Sequence, residues 1–271
     1  MTLELNTLYN SDCIEGMEKL EDKSIDMILC DLPYGTTNCK WDEIIPFDQL
    51  WEQYKRIIKD NGAIVLTASQ PFTTKLISSN MSWFRYEWIW KKGRHTTGFQ
   101  NAKRMPLKNH ENICVFYKKL PTYNPQGIIP LVKVRKSSRR KGGDLLGKGL
   151  TKEYTTTHTN YPRSILDYSR DKKTFHPTQK PLTLFEYLIK TYTNRGDLVL
   201  DNCMGSCTTA LAADNTKRKW IGFELEQEYC NKGIERINTN REQLGLSQAS
   251  VRTINDLLEG GYENDSTNHT R

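Results

Sequence analysis

Short runs of β-branched and aliphatic residues alternate along this chain with stretches whose apolar positions recur every three or four residues. The clearest run is Ile25-Asp26-Met27-Ile28-Leu29-Cys30. It is short, mostly apolar and followed by a polar turn, the pattern of a strand buried in a parallel sheet. Leu5–Tyr9, Ala63–Thr67, Tyr86–Trp90, Ile113–Tyr117, Asp197–Asp201 and Trp220–Glu224 read as further strands. Helical spacing covers Ile14–Leu20, Phe47–Ile58, Pro71–Ser78, Pro181–Tyr192 and Thr208–Asp214, and a small helix is expected over Val251–Leu258. Asn61-Gly62 is placed to stop the second of these helices. Strand and helix in repeated alternation predict an α/β fold with a mostly parallel sheet and right-handed crossovers.

Open α/β sheets bind ligands beyond the carboxyl ends of their strands. The first strong strand ends in Asp31-Leu32-Pro33-Tyr34. Asp31 offers carboxylate oxygens, Leu32 a backbone carbonyl, and Pro33 no N–H, so the turn presents acceptors and few donors. Pro33 also restrains Leu32 to an extended conformation, which fixes the direction of that carbonyl. Tyr34 adds an aromatic plate, and a nucleobase stacked on such a plate gains about 1–3 kcal/mol. An exocyclic amine on a planar ring is the natural guest.

A second strand ending in an acid, Asp197–Asp201, runs into Asn202-Cys203-Met204-Gly205-Ser206-Cys207 and then a helix. Gly205 permits a tight turn and close backbone approach, and the helix beyond it opens with unpaired N–H groups. Nicotinamide-binding folds share this layout, but Gly-x-Gly-x-x-Gly is absent, which disfavours a dinucleotide pyrophosphate. Glu224 closes the next strand, roughly 20 residues beyond the glycine turn, where a carboxylate can accept from ribose hydroxyls. Upstream, His176-Pro177-Thr178-Gln179-Lys180-Pro181 leads into a helix, with Pro181 suited to its first turn.

These stretches resemble the amino-group DNA methyltransferases, whose catalytic tetrapeptide is Asp/Asn/Ser-Pro-Pro-Tyr/Phe/Trp and whose cofactor turn is Asp-Pro-Phe-x-Gly-Ser-Gly-Thr-Thr. The chain departs at Leu32, where the family uses only the carbonyl, at Asn202 for proline, and at Cys207 for the second glycine. The likeness runs from Asp12 to about Arg236, and its order, catalytic turn before cofactor turn, is that of the family's permuted class. It implies a Rossmann-like, doubly wound sheet (the class I methyltransferase fold) with a basic target-recognition insert. It also implies S-adenosyl-L-methionine as cofactor and double-stranded DNA as substrate, with Asp31, Leu32, Pro33 and Tyr34 catalytic. The cofactor residues by the same likeness are Asp12, Asp31, His176, Thr178, Gln179, Lys180, Asp201, Cys203, Met204, Gly205, Ser206, Thr208 and Glu224, with Lys180 pairing with the cofactor's carboxylate. Asp12 reads equally as a helix N-cap. Asn109-His110-Glu111 matches a family stretch expected to wall the target-base pocket, and alternation along a strand separates His110 from Glu111. Asp at the head of the tetrapeptide favours adenine N6. Cytosine N4, and a DNA-binding protein whose site has decayed at Cys207, stay open. Similar enzymes are often dimers, so a homodimer is an expectation by analogy.

Composition adds a partner class. The 271 residues carry a net charge of +7, which favours an anionic partner. Lys133, Arg135, Lys136, Arg139, Arg140 and Lys141 fall in one acid-free window. That window reads as a solvated basic loop or as a DNA-contacting module, and six phosphate contacts would give a log-log salt slope of about −5. Tyr123, Tyr154, Tyr161 and Tyr168 are interspersed there and could support an unstacked strand. No leader or membrane-length apolar run is evident, and the seven cysteines lack metal-site spacing, so reduced thiols in a cytoplasmic protein and no metal are expected. The expected divisions are a catalytic half over residues 1–117, the insert over 118–170, a cofactor half over 171–245 and a tail over 246–271. The tail is expected to end in disorder from Glu259.

Overall fold

The computed structural model describes residues 3–37, 39, 42–137, 154–172, 174–176 and 178–254. By contacts it divides into a main unit, Met1–Asn124 with Ser164–Arg271, and a small unit, Pro125–Arg163. The expected insert, 118–170, therefore begins and ends in segments that pack with the main unit.

The main unit is built on one sheet. Its strands are β1 (Thr7–Asn10), β2 (Ile25–Cys30), β3 (Ile58–Ala68), β4 (Phe84–Lys91) and β5 (His110–Phe116). After the small unit come β8 (Ile165–Asp167), β9 (Leu198–Asp201), β10 (Lys219–Glu224) and β11 (Ser250–Thr253). The spatial order is β11-β1-β10-β9-β2-β3-β5-β4-β8. Every neighbouring pair is parallel except those made by β5, which runs against both β3 and β4. The mostly parallel sheet read from the sequence is therefore present, with one reversed strand.

Alternation of side chains assigns each central strand to two cores. Met27 and Leu29 of β2 join Val65, Val199 and the residues of α4 (Leu182–Tyr192), α5 (Thr208–Asn215) and α6 (Gln227–Gln243) on one face. Ile28 and Cys30 join Ile64, Leu66 and Leu200 on the other, beneath α1 (Cys13–Glu18), α2 (Phe47–Ile57) and α3 (Phe72–Ser79). Both sets are fully buried, which is why β2 reads as an unbroken apolar run. β2 pairs directly with β9, Met27 opposite Val199 and Ile28 opposite Leu200. Two segments some 170 residues apart in sequence thus end side by side at the carboxyl end of the sheet's central strands. At the other end of β2, Asp26 receives the Leu198 N–H at 3.0 Å and the Lys59 ammonium at 2.7 Å.

Two expectations are corrected. Asn61-Gly62 does not stop a helix: α2 ends at Ile57, and Asn61-Gly62 sits inside β3 where the register against β2 jumps from Ile25/Ile58 to Met27/Ala63. A Cβ on Gly62 would meet the Asp26 carbonyl at 2.8 Å, so the glycine serves the close passage of two strands. The segment from Val251 is not helical at its start, because Ser250–Thr253 extends the sheet along β1. Residues 255–271, including the expected disordered end, lie outside the described residues. The rings of Tyr123 and Tyr168 pack against Tyr192 and Tyr187 of α4.

The small unit pairs β6 (Ile129–Ser137) with β7 (Tyr154–Thr159) in an antiparallel ribbon. Lys133 is exposed on β6. Arg135 and Lys136 stand opposite Thr156 and Thr155, while Arg139, Arg140 and Lys141 lie outside the described residues. No helix among the described residues is long and apolar enough to cross a membrane.

Candidate active site

The turns that follow β2 and β9 open into one cavity of about 850 Å³ in the main unit. Every residue that the sequence assigns to catalysis or to the cofactor lines it, from Asp12 and Asp31–Tyr34 to His176, Thr178–Lys180, Asp201, Cys203–Ser206, Thr208 and Glu224. Asp12 satisfies its other reading as well, accepting the N–H groups of Ile14 and Glu15 at the start of α1.

At the turn after β2, Asp31 is held through both carboxylate oxygens. Oδ1 accepts from the Tyr34 hydroxyl at 2.7 Å and from the Thr67 hydroxyl, and Oδ2 accepts from Lys180 Nζ at 2.5 Å. Lys180 is buried between Asp31 and Glu111, whose Oε2 lies 3.5 Å away. Glu111 in turn binds Lys92 at 2.5 Å. Burial acts to lower the Lys180 pKa, but the Asp31 and Glu111 carboxylates outweigh it and leave the ammonium above its ordinary value. Burial likewise acts to raise Glu111, and Lys180 and Lys92 reverse the sign. The result is an alternating chain of charges, Lys92, Glu111, Lys180, Asp31. His110 is exposed while Glu111 faces inward, as strand alternation requires. The Tyr34 ring stacks on Phe72 at 5.1 Å, and burial, then Asp31, pushes its phenol well up, so it remains a donor.

At the glycine turn, Asp201 is structural in its contacts. Its carboxylate accepts from the Cys203 N–H at 3.0 Å and the Thr209 hydroxyl at 2.5 Å, and burial raises its pKa to about 6. Glu224 accepts from the N–H groups of Gly205 at 2.7 Å and Glu226 at 2.9 Å, and burial raises it too. His176 packs edge-on against Tyr229 at 4.5 Å, and burial lowers its pKa, which favours the neutral ring. Its Nδ1 is within 3.0 Å of the Thr178 hydroxyl.

Residues 25–235 match the family model described as DNA methylase, of the N6/N4 kind. The chain belongs to this DNA methylase family. It is 28% identical over 266 residues to a protein named DNA adenine methyltransferase YhdJ from Escherichia coli (strain K12), covering 92% of this chain and 88% of that one. It is 27% identical over 268 residues to Type II methyltransferase M.HpaI from Haemophilus parainfluenzae, covering 93% and 81%. Among solved structures, an M1.HpyAVI–SAM complex matches with a TM-score of 0.58 at 24% identity over 85% of this chain and 98% of that one. PvuII DNA methyltransferase (cytosine-N4-specific) matches with 0.63 at 17% identity over 93% and 96%. The fold is that of the class I methyltransferases.

Where this DNA methylase departs from its family's motifs, the structure supplies a local reason. Leu32 is buried with the apolar residues of the α1–α3 face. Asn202 accepts the Tyr54 hydroxyl at 2.6 Å and so docks α2. Cys207 holds the left-handed conformation, φ 61°, in which glycine costs least. Its side chain turns away from the cavity into space left by Gly233 of α6, where an added Cβ would lie 2.3 Å from the sulfur. Replacing Gly233 by Ala is expected to cost about 1–3 kcal/mol by overpacking. The double variant Gly233→Ala/Cys207→Gly should recover most of it in urea denaturation. Equal losses in both backgrounds would contradict the pairing.

The residue that the sequence did not disclose is Asp42. Its carboxylate receives four successive N–H groups, from Tyr34 and Gly35 at 2.7 and 2.9 Å and from Thr36 and Thr37 at 2.9 and 2.7 Å. An acid in a polar loop gives no sign that it will fold back onto the turn that follows β2. Burial acts to raise its pKa, but the Thr37, Gly35 and Thr36 bonds outweigh that and hold it below the ordinary value. A depressed carboxylate stabilises the fold above its unfolded pKa and loses that contribution as pH falls through the folded one. Asp42→Ala should therefore cost about 2–4 kcal/mol at neutral pH, with the gap to wild type narrowing below about pH 4. Chemical denaturation across pH 3–8 checks both, and a gap that does not change with pH would contradict the assignment.

Proposed function

We propose that this DNA methylase transfers the methyl group of S-adenosyl-L-methionine to the exocyclic N6 of an adenine in double-stranded DNA. The reading rests above all on the Asp31 carboxylate standing beside Tyr34 in the same cavity as the Gly205–Glu224 turn. That cavity suits the cofactor: the buried Gln179 amide oxygen has no partner among the described residues, and Glu224 lies beside Gly205 as an acceptor for ribose hydroxyls. Gln179 would accept from the cofactor's ammonium, and Cys203, Met204 and His176 would line its middle. The cofactor, when bound, supplies an electrophilic methyl on a sulfonium.

The chain's own residues do the rest. An adenine inside a duplex cannot reach the cavity, so it is extruded, at a cost of a few kcal/mol, toward Tyr34. Asp31 and the Leu32 carbonyl accept its amino hydrogens, which draws the nitrogen lone pair out of conjugation with the ring. Lys180, Thr67 and Tyr34 fix the orientation of the Asp31 oxygens. As the nitrogen gains a bond to carbon it must shed one proton, and Asp31 is the acceptor against which the amine rests. Positioning and electrostatics carry the rate. No Pro-Cys dipeptide occurs in the chain, so no covalent enzyme–base adduct is part of this scheme.

Adenine is favoured by Asp at the head of the tetrapeptide and by the name of the Escherichia coli relative. Cytosine N4 is the second reading, supported by the likeness to the PvuII enzyme. A decayed site is disfavoured, since Cys207 turns away from the cavity. Mass spectrometry of nucleosides from DNA modified by the purified enzyme should find N6-methyladenine, and N4-methylcytosine would select the second reading. Sequencing modified DNA from an unmethylated host then gives the recognition site. The six cations of the insert, from Lys133 to Lys141, belong to this reading as phosphate contacts.

Asp31→Ala should leave cofactor binding within a few-fold while transfer falls by about 100-fold or more, and equal loss of both would make Asp31 a support of the fold. The reading also has the enzyme cytoplasmic, in keeping with free thiols throughout the described residues, and homodimeric. Sedimentation should show twice the 31.5 kDa chain mass, and a monomer at working concentration would exclude the dimer.

A further inference from the structure

Between β4 and β5 the chain makes an excursion whose far end has no part in the charge chain around Asp31. Lys92, Thr97 and Lys108 at its root line the cavity. Reciprocal backbone bonds between Thr97 and Lys108, 2.8 and 3.0 Å, close a neck. Beyond the neck, every residue from Gly98 to Pro106 is exposed. This tip is nonetheless ordered by its own bonds: Phe99–Asn101 form a 3-10 turn, and the N–H groups of Arg104 and Met105 return to the Asn101 carbonyl.

That order presents two large apolar side chains to water, Phe99 at 66% and Met105 at 57% exposure. Exposed apolar groups of this size, grouped on one ordered tip, mark a binding surface. Their surroundings are cationic. From Lys91 to His110 the sequence contains six lysines and arginines and no acid. Lys91 and Lys92 are matched by Asp167 and Glu111, and Lys108 donates to Ser69 and the Gln70 carbonyl. Arg94, Lys103 and Arg104 are exposed on the tip and its flank. A partner that offers anions outside and an apolar stack inside is a nucleic-acid duplex. Apolar wedges flanked by cations are a recurrent way of holding a duplex open at an unstacked step.

We propose that Phe99, on the same tip as Met105, fills the place in the base stack that the extruded nucleotide leaves, while Lys103 and Arg104 hold the adjoining phosphates. The inference rests on the DNA methyl transfer proposed above and adds a second DNA-contacting element to the basic insert. The neck explains the economy of the arrangement: one excursion lines the cavity that receives the base and carries the ring that replaces it.

The test uses the full-length enzyme, S-adenosyl-L-methionine and two duplexes bearing the recognition site obtained from modified DNA. One is fully paired, and the other has an abasic site opposite the target adenine, which is then already unpaired. Phe99→Ala should lower kcat/KM on the paired duplex by about 10- to 100-fold, with near wild-type values on the abasic duplex and unchanged cofactor affinity. Phe99→Trp should keep activity on both. Lys103→Gln/Arg104→Gln should reduce the slope of log affinity against log salt by about 2. Equal losses on the two duplexes would overturn the wedge, since a ring needed for fold or catalysis does not distinguish them. No loss on either would leave the tip to a protein partner and overturn it as well. A wild-type enzyme that labels neither duplex would instead sink the reading of function beneath it.

Discussion

The orientation of the Asp31 carboxylate depends on one contact, its ion pair with Lys180, 149 residues away along the chain. Removing two charges from water costs several kcal/mol each even after relaxation, so a buried pair stands only where geometry and further partners compensate. Here Lys180 has a second carboxylate in Glu111, and Glu111 a second ammonium in Lys92. The sum of the four charges is zero. Each member comes from a different part of the fold: the end of β2, the approach to α4, the reversed strand β5 and the end of β4. The cluster therefore forms only when β2, β4, β5 and the approach to α4 have come together, and it leaves Asp31 fixed in one orientation beside Tyr34.

The sheet brings these parts together through a simple constraint. β2 and β9 are each buried on both sides and pair in parallel, so the acids that end them emerge at the same edge. Asp201 then turns inward to hold the glycine turn and Thr209, whereas Asp31 faces the cavity. Two acids in equivalent positions thus take different tasks, one organising a loop and the other lining the cavity. The raised pKa of Asp201, about 6, follows from its enclosure.

Much of this was legible in the sequence because apolar runs and turn residues are local signals. β2 was bounded to the residue, and both turns were found by their position after a strand and by their likeness to a known family. What escaped was non-local. The reversal of β5 cannot be read from its own residues, since Ile113–Phe116 would suit a parallel strand equally well. Gly62 looked like a helix stop because a glycine after an amphipathic run usually is one, and only the approach of Asp26 reveals its purpose. Nothing local shows that Glu111 and Asp31 converge on Lys180. Asp42 lay in a loop without pattern. Cys207 looked like damage until the position of Gly233 showed where its sulfur goes.

A DNA methylase of this kind needs a cofactor and a base to meet at one point, and the fold achieves it by making segments distant in sequence into a common lining. The central claim is therefore that the turns after β2 and β9 form a single ligand site. Hydrogen exchange with and without S-adenosylhomocysteine tests it most directly. Slowed exchange is predicted together in Asp31–Thr37, Thr178–Lys180 and Cys203–Thr209, with the edge strand β8 unchanged. Protection confined to the glycine turn, with Asp31–Thr37 exchanging as in the free protein, would contradict it.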